Sequence, residues 1–123
     1  MSHLVSGIGG LFFRAKDEKA LSAWYAKHFG IPAVGGTELW IQEEGVTVFS
    51  PFKNTSTYFP AEQQFMINFR ITDLDKFLEQ LKAEGVKIDD NRVDESYGKF
   101  AWVYDPEGNK IELWQPIDDS ELT

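Results

Sequence analysis

Apolar residues along this chain switch between a strand-like and a helix-like period twice, in the same order. Residues 8–15 are mostly apolar and follow Gly7, Gly9 and Gly10, which predicts a strand. Ala20, Leu21, Trp24, Tyr25 and Phe29 then recur at steps of three and four, so one face of a helix is expected over about 18–29. Asp17 stands where its carboxylate can accept the first free backbone N–H groups, and Gly30 ends the run. Short strands are expected at about 38–42 and 45–50, turning through Glu43-Glu44-Gly45. The pattern then starts again. A strand at 65–71 leads to Asp73 as a cap and a helix of about 74–84, with Leu74, Phe77, Leu78 and Leu81 on one face and Gly85 after it. Strands at about 99–104 and 110–115 flank Asp105-Pro106-Glu107-Gly108-Asn109, whose Pro and Gly suit a tight turn.

The repetition extends to individual residues. Phe13, Arg14 and Asp17 in Leu11-Phe12-Phe13-Arg14-Ala15-Lys16-Asp17 recur 56 positions later in Ile67-Asn68-Phe69-Arg70-Ile71-Thr72-Asp73. Each copy closes on a strand ending in proline, Val46-Thr47-Val48-Phe49-Ser50-Pro51 and Ile111-Glu112-Leu113-Trp114-Gln115-Pro116. Two copies of so long a period do not make a solenoid; they predict one domain of two similar halves, with a site where they meet. The expected layout is α+β in a single domain over 1–123: module one at about 7–51, a connector at about 52–64 and module two at about 65–117. The connector holds Pro51, Pro60, Asn54 and several Ser and Thr, but also Phe52, Tyr58 and Phe59. Those aromatics predict a connector that lies against the protein and borders a pocket.

Composition narrows the function classes. A chain of 123 residues can build one hydrophobic core and not two. The net charge of -8 argues against nucleic acid, because phosphate binding needs clustered Lys and Arg. Much of that charge is terminal, as in Asp118-Asp119 and Glu121, and reads as a solvated surface. No apolar run approaches the roughly 20 residues of a membrane span, and no secretory signal is legible at the N-terminus. The absence of cysteine removes disulfides, thiolate metal sites and cysteine nucleophiles, and fits a cytoplasmic protein. Nor is there a Ser-His-acid triad. Gly7-Ile8-Gly9-Gly10 lacks phosphate-loop spacing and reads as allowing close backbone approach.

Tyr97-Gly98-Lys99-Phe100-Ala101-Trp102, followed by Asp105-Pro106-Glu107-Gly108-Asn109-Lys110-Ile111-Glu112-Leu113, resembles the closing signature of the vicinal oxygen chelate superfamily. That group includes glyoxalase I, bleomycin resistance proteins and extradiol dioxygenases. Phe69-Arg70-Ile71-Thr72-Asp73-Leu74-Asp75 and Ala83-Glu84-Gly85-Val86 resemble its second module, and Ala20 to Gly30 the helix of its first; the likeness spans about residues 7–117. The resemblance implies two βαβββ modules forming a cupped, half-open mixed sheet with helices outside, often in a homodimer that sometimes completes the cavity across chains. It also implies up to four metal ligands inside the cup, where a divalent ion would act as a Lewis acid.

Only one ligand position carries a suitable residue, Glu112. The others map onto Gly10, Thr47 and Met66: no side chain, a weak neutral donor and a soft thioether. One carboxylate does not hold a catalytic ion, so no cofactor is expected unless a divalent metal binds through unexpected ligands. His28 near a helix end suits the helix dipole, His3 is near the terminus, and neither completes a set with Glu112 by spacing.

Strand alternation then proposes a lining. If Glu112 faces the cup, so do Trp114, Phe12 and Arg14, Thr47 and Phe49, Asn68 and Arg70, with Met66 and Trp102, while Ile111 and Leu113 face the helices. Such a cup would hold a planar or amphipathic organic molecule. The plainer alternatives stay open: Arg14 and Arg70 as structural partners of acids, Glu112 as a balancing charge, and the tryptophans as core or dimer packing. Four functions follow. A metal-independent binder of a small organic molecule is favoured by the missing ligands. A glyoxalase-type lyase or isomerase would use Glu112 as ligand and base. A dioxygenase is weaker, since its iron needs two histidines and a carboxylate. A structural or regulatory dimer would lock Glu112 in a salt bridge to Arg14 or Arg70.

Overall fold

The computed structural model describes residues 4–33 and 35–117, so His3 and the acidic tail at Asp118-Asp119 and Glu121 lie outside the described residues. Its elements run α1 (Glu18–Phe29), β1 (Asn68–Arg70), α2 (Leu74–Ala83), β2 (Lys87–Glu95), β3 (Gly98–Tyr104) and β4 (Lys110–Pro116). Both helices start as the sequence predicts. The Asp17 carboxylate accepts the Ala20 N–H at 3.0 Å and that of Asp73 accepts Lys76 N–H at 3.1 Å, each supplying a partner for a backbone donor left over in the first turn. Gln115 adds a third cap, its Oε1 accepting Leu74 N–H at 2.8 Å and tying α2 to β4. Gly30 ends α1 at φ 69°, a left-handed conformation that glycine adopts without the Cβ penalty.

The four strands form one open mixed sheet in the order β1-β4-β3-β2. β4 runs parallel to β1, with Asn68 opposite Glu112, and antiparallel to β3, with Trp102 opposite Glu112. Alternation therefore sorts the side chains cleanly. Ala101, Val103, Ile111 and Leu113 point into a core shared with Leu74 and Leu81 of α2 and with Leu21 and Tyr25 of α1. Leu74, Leu81, Val103 and Leu113 are fully enclosed there. The other face carries Phe100, Trp102, Glu112 and Trp114. This is α+β architecture with the helices outside an open sheet. Among the described residues no helix is long and apolar enough to cross a membrane.

The halves differ. Strands expected at 8–15, 38–42 and 45–50 form no ladder; those residues carry neither helix nor strand. A strand needs a neighbouring strand to pair its backbone N–H and C=O groups, and these segments pair with no other strand among the described residues. Ala15 and Phe13 still pack toward the helices, but many of the other apolar side chains stand in solvent: Leu39 and Ile41 are each 87% exposed. Conversely, β2 forms where no strand was expected. Lys87-Ile88-Asp89-Asp90-Asn91-Arg92-Val93-Asp94-Glu95 carries five acidic residues or amides in its nine positions, and its pairing comes from β3 across an irregular step between Ile88 and Arg92. It is an edge strand, where charge is tolerated and blunts further pairing.

Candidate functional site

Glu112 is buried to 8% exposure on the face of the sheet away from the helices. Burying a carboxylate is costly unless its oxygens are hydrogen-bonded, and here three neutral donors converge on it. Asn68 Nδ2, on the neighbouring parallel strand, donates to Oε1 at 2.6 Å. Trp102 Nε1, directly across on β3, donates to Oε2 at 3.1 Å. The Tyr58 hydroxyl, from the connector, donates to the same Oε2. Hydrogen bonds to an ionised group contribute about 1.5–3 kcal/mol each, enough together to offset much of the desolvation. None of the three is a cation, and Glu112 forms no ion pair among the described residues. The salt bridge to Arg14 or Arg70 considered above is not what holds it.

Tyr58 has several neighbours around its ring and carbonyl. Its ring meets Trp102 edge to face at 6.0 Å and Phe52 at 5.5 Å. Lys110 Nζ donates to the Tyr58 carbonyl at 2.8 Å and sits over both the Tyr58 and Trp102 rings, 5.5 and 5.4 Å from their centroids. The Gln63 amide bridges the connector to the start of β4, donating to Lys110 O at 2.9 Å and accepting from Lys110 N at 2.8 Å. Burial first, and then the hydrogen bond to Glu112 and its charge, push the Tyr58 phenol well above its ordinary range. The connector thus borders the site, as its aromatics suggested, but the specific partnership of Tyr58 with Glu112 was not legible in sequence.

The other expected lining residues divide. Trp114 lies beside Glu112 on the same face, stacked on Phe100 with planes 4° apart. Its Nε1 is buried with no hydrogen-bond partner among the described residues. It packs against Gly98, where a Cβ would come within 2.6 Å of that nitrogen. Arg70 turns to the first half instead, donating to the carbonyls of Glu43 at 2.8 Å and Val46 at 3.3 Å. The guanidinium lies against Gly45, where a Cβ would come within 1.8 Å of it and the arginine would have to shift. Met66 is half-buried, while Phe12, Arg14, Thr47 and Phe49 are exposed, Phe12 at 88%. The structure gathers Asn68, Trp102, Glu112 and Trp114 on one face and leaves the first-half residues outside the cluster.

The signature turn has a structural task. Asp105 is buried and accepts from Tyr25 OH at 2.8 Å, from Glu107 N at 2.9 Å, and from Asn109 N and Nδ2 at 3.0 and 2.8 Å. The Glu107 carboxylate accepts Lys16 N at 2.8 Å and Asp17 N at 2.9 Å, gripping the approach to α1. Those bonds hold its carboxyl below the usual range. His28, buried on α1, meets Glu84 at the end of α2 at 2.8 Å, an expected structural role for that histidine.

Residues 3–113 match the model of the Glyoxalase/Bleomycin resistance protein/Dioxygenase superfamily. The chain belongs to that superfamily. No curated protein sequence matches it. Its fold is similar to that of a glyoxalase/bleomycin resistance protein/dioxygenase superfamily member from Sphaerobacter thermophilus, at 17% identity and TM-score 0.61, covering 92% of this chain and 99% of that one. It is also similar to TnmS3, an antibiotic binding protein from Streptomyces sp. CB03234, at 22% identity and TM-score 0.59, covering 94% and 99%. A protein from the mobile metagenome of V. Pseudocholerae follows at 18% identity and TM-score 0.57, covering 91% and 98%.

Many members of this superfamily use a divalent ion, but the residues here do not fit one. Gly10 offers no donor, and the space beside it is taken by the Phe12 ring, 3.2 Å from where a Cβ would sit. Thr47 is exposed and Met66 offers a soft sulfur. The groups aimed at Glu112 spend their N–H and O–H donors on its oxygens and add no carboxylate or imidazole to it. Among the described residues no three His, Cys, Asp or Glu side chains form a group that could hold an ion.

Proposed function

We propose that this glyoxalase-superfamily chain is a cytoplasmic binder of a small, planar organic molecule, working without the superfamily's usual metal. The observation that carries this reading is the Glu112 cluster, in which a buried carboxylate surrounded by indole, amide and phenol donors replaces a set of metal ligands. Trp114 offers a half-buried indole beside one aimed acceptor, and Trp102, 5% exposed and edge-on to Tyr58, would offer its ring once that phenol moves, the combination by which small-molecule sites orient a ligand. The likeness in fold to an antibiotic binding protein supports binding over turnover.

In the single chain Tyr58 covers Glu112 and Trp102, and a second copy would supply the missing walls of the cup. The exposed apolar segments at 8–15 and 38–50 belong to the half that matches, by repeat, a half already built into a sheet. A second copy is the occupant whose pattern suits them. In it, Phe12, Thr47 and Phe49 would wall the cup while Asn68, Met66, Trp102 and Trp114 line its floor.

Thermal-shift screening of planar aromatic compounds, followed by equilibrium dialysis of the hits, tests the reading. Stabilising compounds should bind the wild type and lose about tenfold or more in Glu112→Gln and Trp102→Phe, the loss of one hydrogen bond to an ionised or aromatic group. Binding unaffected by either substitution would place the site elsewhere. Turnover that depends on an added divalent ion and on Glu112 would restore the lyase.

A further inference from the structure

The three donors on Glu112 are not equally fixed. Asn68 and Trp102 are held by β1 and β3, on either side of β4. Tyr58 comes from the connector at 51–64, which contains no helix or strand. Its phenol reaches across 54 residues of sequence to deliver one O–H to the carboxylate. The residue as a whole is 39% exposed. Tyr58 is therefore the donor that can leave without dismantling the sheet.

We propose that Tyr58 is a built-in stand-in for the ligand, and that the natural ligand is a neutral aromatic hydroxyl compound, a phenol, which displaces it. This rests on the small-molecule reading above and names its chemical class. If Tyr58 swings away, Glu112 Oε2 keeps the Trp102 N–H and loses its O–H donor. A buried carboxylate left short of a donor is costly, so the group that replaces Tyr58 must itself donate. The vacated slot fixes the rest of the ligand. It is bordered edge-on by Trp102, by Phe52 and by the Lys110 ammonium over the ring position, all of which suit an aromatic ring. A carboxylate or phosphate ligand would face Glu112 with like charge and no proton to give. A methyl ether has the ring and no donor. A phenolate has the ring and the wrong charge beside Glu112.

Isothermal titration of 2-naphthol and of its methyl ether, 2-methoxynaphthalene, into the wild type, Tyr58→Phe and Tyr58→Ala tests the proposal. Tyr58→Ala should bind 2-naphthol about tenfold tighter than the wild type, because an internal competitor is gone, and about tenfold tighter than the methyl ether, the worth of a hydrogen bond to a charged acceptor. Tyr58→Phe keeps the ring and loses the anchoring hydroxyl. It should bind 2-naphthol with intermediate affinity, and it serves if the alanine variant does not fold. Equal binding of naphthol and ether overturns the phenol assignment while leaving a small-molecule site in place. Weaker naphthol binding after removal of Tyr58 shows a wall rather than a stand-in, and also overturns it. Binding of neither probe to any variant overturns it as well, and a blank screen of other aromatics would then count against the parent reading.

Discussion

The two halves of this chain start from nearly the same pattern and end in different states. In the second, strand, helix and three further strands close into a sheet whose inner face is sealed by Leu74, Leu81, Val103 and Leu113. In the first, only α1 forms among the described residues, and the segments on either side of it stay irregular with Leu39, Ile41 and Phe49 in water. Propensity and alternation are thus insufficient to make a sheet; a ladder partner decides. α1 itself is secure because the second half holds it, through Tyr25 on Asp105 and Glu107 on the backbone of Lys16 and Asp17. The first half is organised wherever the second reaches it and open elsewhere.

Substitutions in the two halves should therefore differ most in the core. Leu81→Ala removes a fully enclosed side chain and should cost about 2–5 kcal/mol in denaturant unfolding. Phe49→Ala, at 84% exposure, should cost no more than about 0.5 kcal/mol at dilutions where the chain is monomeric. Similar losses at both positions would break the contrast. Next in size is the bridge between the halves. Asp105→Ala strands the Tyr25 hydroxyl and the turn amides, and should cost about 2–3 kcal/mol, against about 1 kcal/mol for Tyr25→Phe, which removes one partner only. The smallest effect is a pH dependence. The Glu107 carboxyl lies below its ordinary range when folded, so the grip on α1 is present above the unfolded carboxylate range and lost as pH falls through the depressed folded value. Amide exchange at Lys16 and Asp17 should accelerate on that acid limb, and Glu107→Gln should flatten it.

How far the sequence could be read follows the same division. The superfamily, the α+β class, both helix caps and the sorting of Ile111 and Leu113 from Glu112 and Trp114 were all legible, because each is a local periodicity or motif. β2 was not, since a strand as acidic as Asp89-Asp90 to Asp94-Glu95 exists only through its pairing with β3. The absent ladders at 8–15 and 38–50 were hidden for the converse reason. In the candidate cluster, Glu112 was proposed from the signature turn and Asn68 from alternation, with Trp102 added beside them, and the structure brings the three within hydrogen-bonding reach. Tyr58 needed a contact across 54 residues that no spacing predicts, although the aromatic character of Phe52, Tyr58 and Phe59 pointed to the connector. Arg70 looked like a cup residue by alternation, and its pairing with Glu43 and Val46 carbonyls shows a long side chain choosing the nearest bare backbone.

Amide hydrogen exchange of residues 38–50, followed across protein concentration, tests most directly the claim that the first half is completed by a second copy. The account predicts near-unprotected exchange at dilutions where sedimentation shows monomer, and protection that rises in step with dimer, while β3 and β4 stay protected throughout. Protection of 38–50 independent of concentration, or its absence in a dimer, would contradict it.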